Sequence, residues 1–152
     1  MPAIRQLSRW LLGRILPTTE SWSEMAVLFT DHDGIIPVNR SCFSKNGVTD
    51  VISLTYTPVT GNPGRFSGEI VVNAEMALEK GPSHDGCTHE LALYIAHGIH
   101  HLAGASDRTP ALRSKMLRQE RAWVREAAQN GLLDKLASPI HPCTRRAGKK
   151  LP

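Results

Sequence analysis

The sequence predicts a single domain that mixes strands with helices, and three observations carry that expectation. The 152 residues fit one domain and are enough to bury most of its apolar surface without covalent staples. Stretches of alternating, β-branched character stand among stretches with helical spacing of apolar residues. No internal repeat or change of composition divides the chain before its end.

The first element is a helix over 4–16, with Ile4, Leu7, Leu11, Leu12 and Ile15 at helical spacing; Pro17 and the two threonines after it close it. Met25 to Phe29 is a short apolar run that reads as a strand, followed by the turn Asp31-His32-Asp33-Gly34. Residues 35–44 are expected to form a short helix, against which Pro37 argues. Thr49 to Tyr56 is β-branched and alternating, a second strand.

Residues 57–68, with three glycines and two prolines, read as a loop. Gly68 to Asn73 forms a third strand, and Ala74 to Glu79 a short helix. From about His89 a strong helix runs to Ala103, with Leu91, Tyr94, Ile95 and Leu102 facing inward. A last helix, Pro110 to about Asn130, carries Leu112, Met116, Leu117 and Trp123. Residues 1–140 are thus expected to be the domain, and 141–152 a basic, disordered tail holding Arg145, Arg146, Lys149 and Lys150.

Composition narrows the functional classes. A hydrophobic share of 41% and a charged share of 21% are those of an ordinary soluble domain. The net charge of +4 permits a polyanionic partner without requiring one. Cys42, Cys87 and Cys143 are odd in number and form no Cys-x-x-Cys pair, so neither a disulfide framework nor a cysteine zinc site is indicated. Reduced thiols and a cytoplasmic location are the simplest reading. The apolar segment Trp10 to Leu16 is interrupted by Arg14, is too short to span a bilayer and lacks a small-residue cleavage site, so neither a membrane span nor a secretory signal is expected.

The chemistry lies in the run from His97 to Asp107. Residues four apart lie one above the other on a helix face, so His97 and His101 can point at one ion. Gly104 is a natural helix stop, because it adopts positive φ without cost, and past that turn the chain can bring Asp107 to the same point. Two imidazoles and a carboxylate leave a fourth position for water, the arrangement of a catalytic zinc. Zinc brings the pKa of a bound water to about 7.

The bland reading stands beside this one. A histidine pair at i and i+4 arises often by chance, and only the glycine and the third ligand raise its weight. His100 faces about a quarter-turn from the pair and reads as a satisfied or exposed histidine, as do His84, His89 and His141. A zinc peptidase of the His-Glu-x-x-His type needs its base directly after the first histidine; Gly98 stands there, which disfavours proteolysis.

The segment His97-Gly98-x-x-His101-Leu102-x-Gly104-x-x-Asp107 resembles the signature of the YbeY family of bacterial endoribonucleases and rRNA maturation factors. Upstream, Thr49-Asp50-Val51-Ile52-Ser53 and Gly68-Glu69-Ile70-Val71-Val72 resemble two strands of that family in the right order. Glu90-Leu91 and Asn39 also fall where the family has them, so the likeness covers about residues 25–125.

The resemblance implies an α+β fold, a small mixed sheet packed with helices, and one zinc per chain at the end of a central helix, held by His97, His101 and Asp107. It implies metal-dependent cleavage of single-stranded RNA in 3′-end maturation of small-subunit rRNA and in ribosome quality control, with rRNA and the small ribosomal subunit as partners.

Three departures from the pattern are visible. The third ligand is Asp107 where the family usually has histidine, and Phe43 and Ser44 stand where it has an arginine that serves RNA. The chain also opens on a helix where the family usually opens on a strand. Lys45 or Arg65 are the candidates to replace the arginine. A ribosome-assembly factor with weak or lost nuclease activity is the alternative reading. The group acting as general base is not assigned by the sequence, and Asp50 and Ser53 are read as structural.

Overall fold

The computed structural model describes residues 2–16, 21–56 and 65–136, and only the backbone of 21–23 and 65–66. The expected tail 141–152, with His141, and most of the expected loop lie outside the described residues.

Helix α1 (Pro2–Ile15) buries Ile4, Leu7 and Leu11 along one stripe, as its spacing requires. Its last turn reaches α5 (Pro110–Gln129) through an ion pair between Arg14 and Glu126. Strand β1 (Ser21–Thr30) is longer at both ends than the expected run.

Asp31 is the N-cap of α2 (His32–Phe43), its Oδ1 accepting the Gly34 N–H at 2.8 Å. The expected turn at 31–34 is therefore the first turn of a helix that begins three residues earlier than predicted. Pro37 is accommodated inside it, forgoing only the bond to the carbonyl four residues back.

Strands β2 (Val51–Tyr56) and β3 (Arg65–Asn73) complete a three-stranded sheet of order β1-β3-β2. β1 runs parallel to β3 and β2 antiparallel to it, so the sheet is mixed, as expected. β3 begins three residues before the predicted Gly68. As the central strand it has both faces covered, and Ile70, Val71 and Val72 are all buried.

Because alternate side chains take opposite faces, Ile70 and Val72 join the main core under α4 (Cys87–Leu102). Val71 joins Ile35 and Ile52 in a smaller cluster under α2. Burying one such aliphatic side chain contributes about 1.5–3 kcal/mol, so each face of the sheet is stabilised by its own helix.

Asn73 closes β3 and caps α3 (Ala74–Lys80), its Oδ1 accepting the Met76 N–H at 3.1 Å. Its Nδ2 donates to the Thr49 carbonyl and to His32 Nδ1, joining three segments at one fully buried node. A short 3₁₀ turn over Gly81–Ser83 then leads into α4.

Ala92, Ile95, Ala96 and Ile99 of α4 are fully buried, which makes it the central helix, between the sheet on one side and α1 and α5 on the other. Of the residues expected on the buried side of α4, Tyr94, Ile95 and Leu102 are buried and Leu91 is half-buried against the core, while Leu112, in the first turn of α5, is 41% exposed. Among the described residues no helix is long and apolar enough to cross a membrane.

Candidate metal centre

The last two turns of α4 and the turn after it build the site. Ala103 caps the helix and Gly104 follows at φ +90°, with the Gly104 N–H donating to the His101 carbonyl and the Ala105 N–H to the His100 carbonyl. This pair of bonds is the Schellman arrangement, and the glycine supplies its left-handed residue. The same turn has two further uses. The Ala105 carbonyl lies 3.1 Å from His101 Nδ1, and Asp107 is returned to the helix end.

The three side chains singled out in the sequence meet. His97 Nε2 and His101 Nε2 are 3.1 Å apart with the rings nearly perpendicular, and Asp107 Oδ2 is 3.8 Å from His101 Nε2. One ligand atom from each of the three lies within 4.8 Å of the other two, so the group can hold a metal ion.

Protonation follows from the partners. A carbonyl only accepts, so His101 Nδ1 bears hydrogen and the neutral ring presents a bare Nε2. His97 Nδ1 lies 3.1 and 3.2 Å from the two carboxylate oxygens of Glu120, and its Nε2 is bare for the same reason. Two lone pairs facing each other at this distance repel unless a cation or a proton lies between them. Nitrogens bound at about 2.0–2.1 Å in a tetrahedral zinc site stand about 3.3 Å apart, close to the spacing found.

Burial is the largest influence on His97 and works against its charged form. The hydrogen bond and charge of Glu120, with smaller help from Asp50 and Asp107, outweigh it and hold the pKa above the ordinary imidazole value. For Glu120 burial favours the neutral acid, but the bonds to His100 and His97 prevail and keep it a carboxylate.

Sequence reading missed Glu120. It lies in the Arg-Gln-Glu-Arg run of α5, which looks like a solvated face, yet it is 1% exposed. A signal was present: Met116, Glu120, Val124 and Ala127 share one helical stripe, so the acid interrupts an apolar row. His100, set aside as satisfied or exposed, is satisfied. It donates to Glu120 Oε1 at 2.9 Å and stands edge-on to Trp123.

Gly98 has a packing role beyond the missing peptidase base. A Cβ there would lie 2.9 Å from Ile70 Cγ2 and 3.1 Å from Val51 Cγ2, so glycine sets how closely α4 approaches the sheet. Its carbonyl also accepts the Ser53 hydroxyl at 3.0 Å. Asp50 Oδ1 accepts the Val51 N–H at 2.8 Å, so both residues have the structural bonds expected of them.

A cleft of about 410 Å³ opens on His101 and Asp107, lined also by Asn39, Lys45, Thr49 and Ser53. Lys45 is thus beside the site. Arg65 opens β3, but its side chain lies outside the described part. Phe43, also on the cleft, is 48% exposed. A larger cavity of about 740 Å³, between His84, His89, Glu90, Arg121 and Arg125, contains none of the three clustered ligands. His84 bonds Glu90 there at 2.7 Å. A second group that can hold an ion, His32 with Glu75 and Glu79, is more exposed, and its histidine is already bonded to Glu79 at 2.9 Å.

A mixed sheet under a central helix whose C-terminal turn gathers two histidines and a carboxylate defines a small α+β domain with a candidate metal centre. This chain belongs to the YbeY family: the family model described as Endoribonuclease YbeY matches residues 3–128. The Endoribonuclease YbeY of Bartonella bacilliformis is 33% identical over 129 residues, covering 80% of this chain and 73% of that protein. That of Salinibacter ruber is 31% identical over 110 residues, covering 68% and 70%. The solution structure of TM1509 from Thermotoga maritima resembles the fold with a TM-score of 0.52 at 18% identity, covering 91% of each chain.

Proposed function

We propose that the protein is a zinc-dependent endoribonuclease for single-stranded RNA, holding one zinc through His97, His101 and Asp107. The observation that carries this is the pair of bare Nε2 atoms facing each other beside Asp107, in a chain whose relatives are named endoribonucleases. A zinc ion there supplies Lewis acidity toward a phosphodiester oxygen and the attacking water.

The chain's own residues do the rest. His101 is oriented by the Ala105 carbonyl, and Asp107 brings negative charge to the mouth of the cleft. Lys45 offers a cation to the phosphate backbone from the cleft wall, and Arg65 from the start of β3 is the second candidate. We assign the biological role to 3′-end maturation of small-subunit rRNA and ribosome quality control, in the cytoplasm and on the small subunit. The domain is taken as 1–140, followed by the basic tail 141–152.

A specific observation favours a second reading, a ribosome-assembly factor with weak nuclease activity. Phe43 and Ser44 at the end of α2 present no cation to the cleft. One experiment separates the two. Purified protein is assayed for zinc content and for cleavage of single-stranded RNA, beside His97→Ala and His101→Ala. The nuclease reading expects about one zinc per chain and cleavage lost in both variants. Equal cleavage by metal-free protein refutes it, while binding to small subunits that survives both substitutions, without cleavage, supports the second reading.

A further inference from the structure

Glu120 is an expensive residue to place where it stands. A carboxylate removed from water is tolerated only when its charge is met by donors, and here two ring N–H groups meet it. His97 and His100, three residues apart on α4, both aim Nδ1 at the one carboxylate arriving from α5. Oε1 takes both bonds, at 3.1 and 2.9 Å, and Oε2 stands 3.2 Å from His97. His100 is nearly buried, with Trp123 against its ring.

We infer that Glu120 is the positioning residue of the metal centre and His100 the lock that holds it, so that α5 sets the ion affinity of ligands it does not itself contribute. This rests on the metal reading above and deepens it.

Three consequences of the geometry support the assignment. The carboxylate keeps hydrogen on His97 Nδ1, whereas a free imidazole favours the other tautomer, which would block the ligand atom. It also raises the basicity of the ligating nitrogen, as a carboxylate behind a metal-bound histidine does generally. Finally, the Glu120 carboxylate stands directly behind His97 while Asp107 stands in front, so two acids flank the point where a divalent cation would sit. The bond from His100 spans no ligand. Its effect is to fix the second side of Glu120, so that the carboxylate cannot turn away from His97.

The test uses the full chain with three substitutions. E120M keeps the length of the side chain and removes both acceptor oxygens, E120Q keeps an acceptor without charge, and H100F keeps a ring against Trp123 while removing the N–H of the lock. Zinc affinity is measured by competition with a chromogenic chelator. The His97 tautomer of metal-free protein is read from two-bond ¹H–¹⁵N correlations at a pH where the ring is neutral.

E120M is expected to weaken zinc binding about 10–100-fold, the usual effect of losing such an outer partner, with E120Q between it and wild type. The tautomer should move from Nδ1–H toward Nε2–H in E120M, a readout that a purely structural acid would leave unmoved. H100F should shift both in the same direction by less, and stands in if E120M does not fold. Wild-type affinity and tautomer in E120M or H100F overturn the inference while leaving the zinc reading intact. A wild-type protein that takes up no zinc overturns the zinc reading, and this inference with it.

Discussion

Replacing Gly98 by alanine separates two opposed effects whose sizes follow from the structure. Alanine is the better helix former by about 0.8–1.0 kcal/mol, so on propensity alone the change stabilises α4. The new methyl, however, would lie 2.9 Å from Ile70 Cγ2, 3.1 Å from Val51 Cγ2 and 3.3 Å from Ile70 Cβ. Carbon atoms rest at about 3.5–4.0 Å, so between 0.5 and 1 Å, roughly, must be recovered.

Ile70 is fully buried on the central strand and β-branched, so its side chain cannot swing clear. The helix must rise instead, stretching the Ser53–Gly98 bond. Overpacking of this kind costs about 1–3 kcal/mol, leaving a net loss of about 0–2 kcal/mol. In a domain of this size that lowers Tm by about 2–4 °C for each kcal/mol. Because His97 precedes Gly98 and His101 follows one turn later, both ligands move with the helix and zinc affinity falls as well.

Gly13 is the control, since it too is helical but has nothing within 4 Å of its missing Cβ. Gly13→Ala should stabilise by about 0.5–1 kcal/mol and leave zinc binding unchanged. Thermal melts and chelator competition on both variants decide the matter. If Gly98→Ala raises Tm as much as Gly13→Ala and binds zinc as wild type does, the close approach of α4 to the sheet is not what glycine is there for.

Two further outcomes follow from the turn and the buried pair. Gly104→Ala meets no neighbour, but at φ +90° a Cβ costs about 1–3 kcal/mol, and the strain falls on the turn that carries Asp107. Its melting temperature and zinc affinity should both drop; a loss of stability alone would show that Asp107 is positioned from elsewhere.

The second outcome concerns pH. The His97 pKa is raised above 6.5, so in metal-free protein its contribution to stability is complete below that value and fades as pH rises through the folded pKa. The Glu120 pKa is lowered below 4.5, so its contribution is complete above that value and fades as pH falls through the folded pKa. Metal-free protein should therefore draw most from this pair between about pH 4.5 and 6.5. Zinc needs the nitrogen that the proton occupies, so its affinity should begin to fall on acidification while the pH is still above 6.5. An affinity flat from pH 8 down to 6 would contradict the role of His97.

Much of the site was written locally, and local rules were enough to read it. The placing of His97 over His101 follows from the pitch of a helix, and the stop at Gly104 from the conformational freedom of glycine. The turn that returns Asp107 is only a few residues long. The strands were recognisable because alternation and β-branching are local too, although their ends were misplaced: β1 and β3 both extend beyond the apolar runs. The start of α2 was missed for a related reason. Asp31 and Gly34 suit a turn and a helix cap equally well, and only the hydrogen bond between them tells which was formed.

By itself, then, the sequence carried the family resemblance, through short motifs in order along the chain, and with it the mixed architecture and the three side chains that meet, because each motif rests on spacing within one segment. Only the tertiary structure decided that Glu120 and His100 belong to the centre and that Gly98 is a spacer against Ile70. These depend on which face of α5 and of the sheet is laid against α4, a contact between segments far apart in the chain. Burial then changes the meaning of the residue. A glutamate in a charged run becomes, once water is excluded, a carboxylate that must hold two histidines.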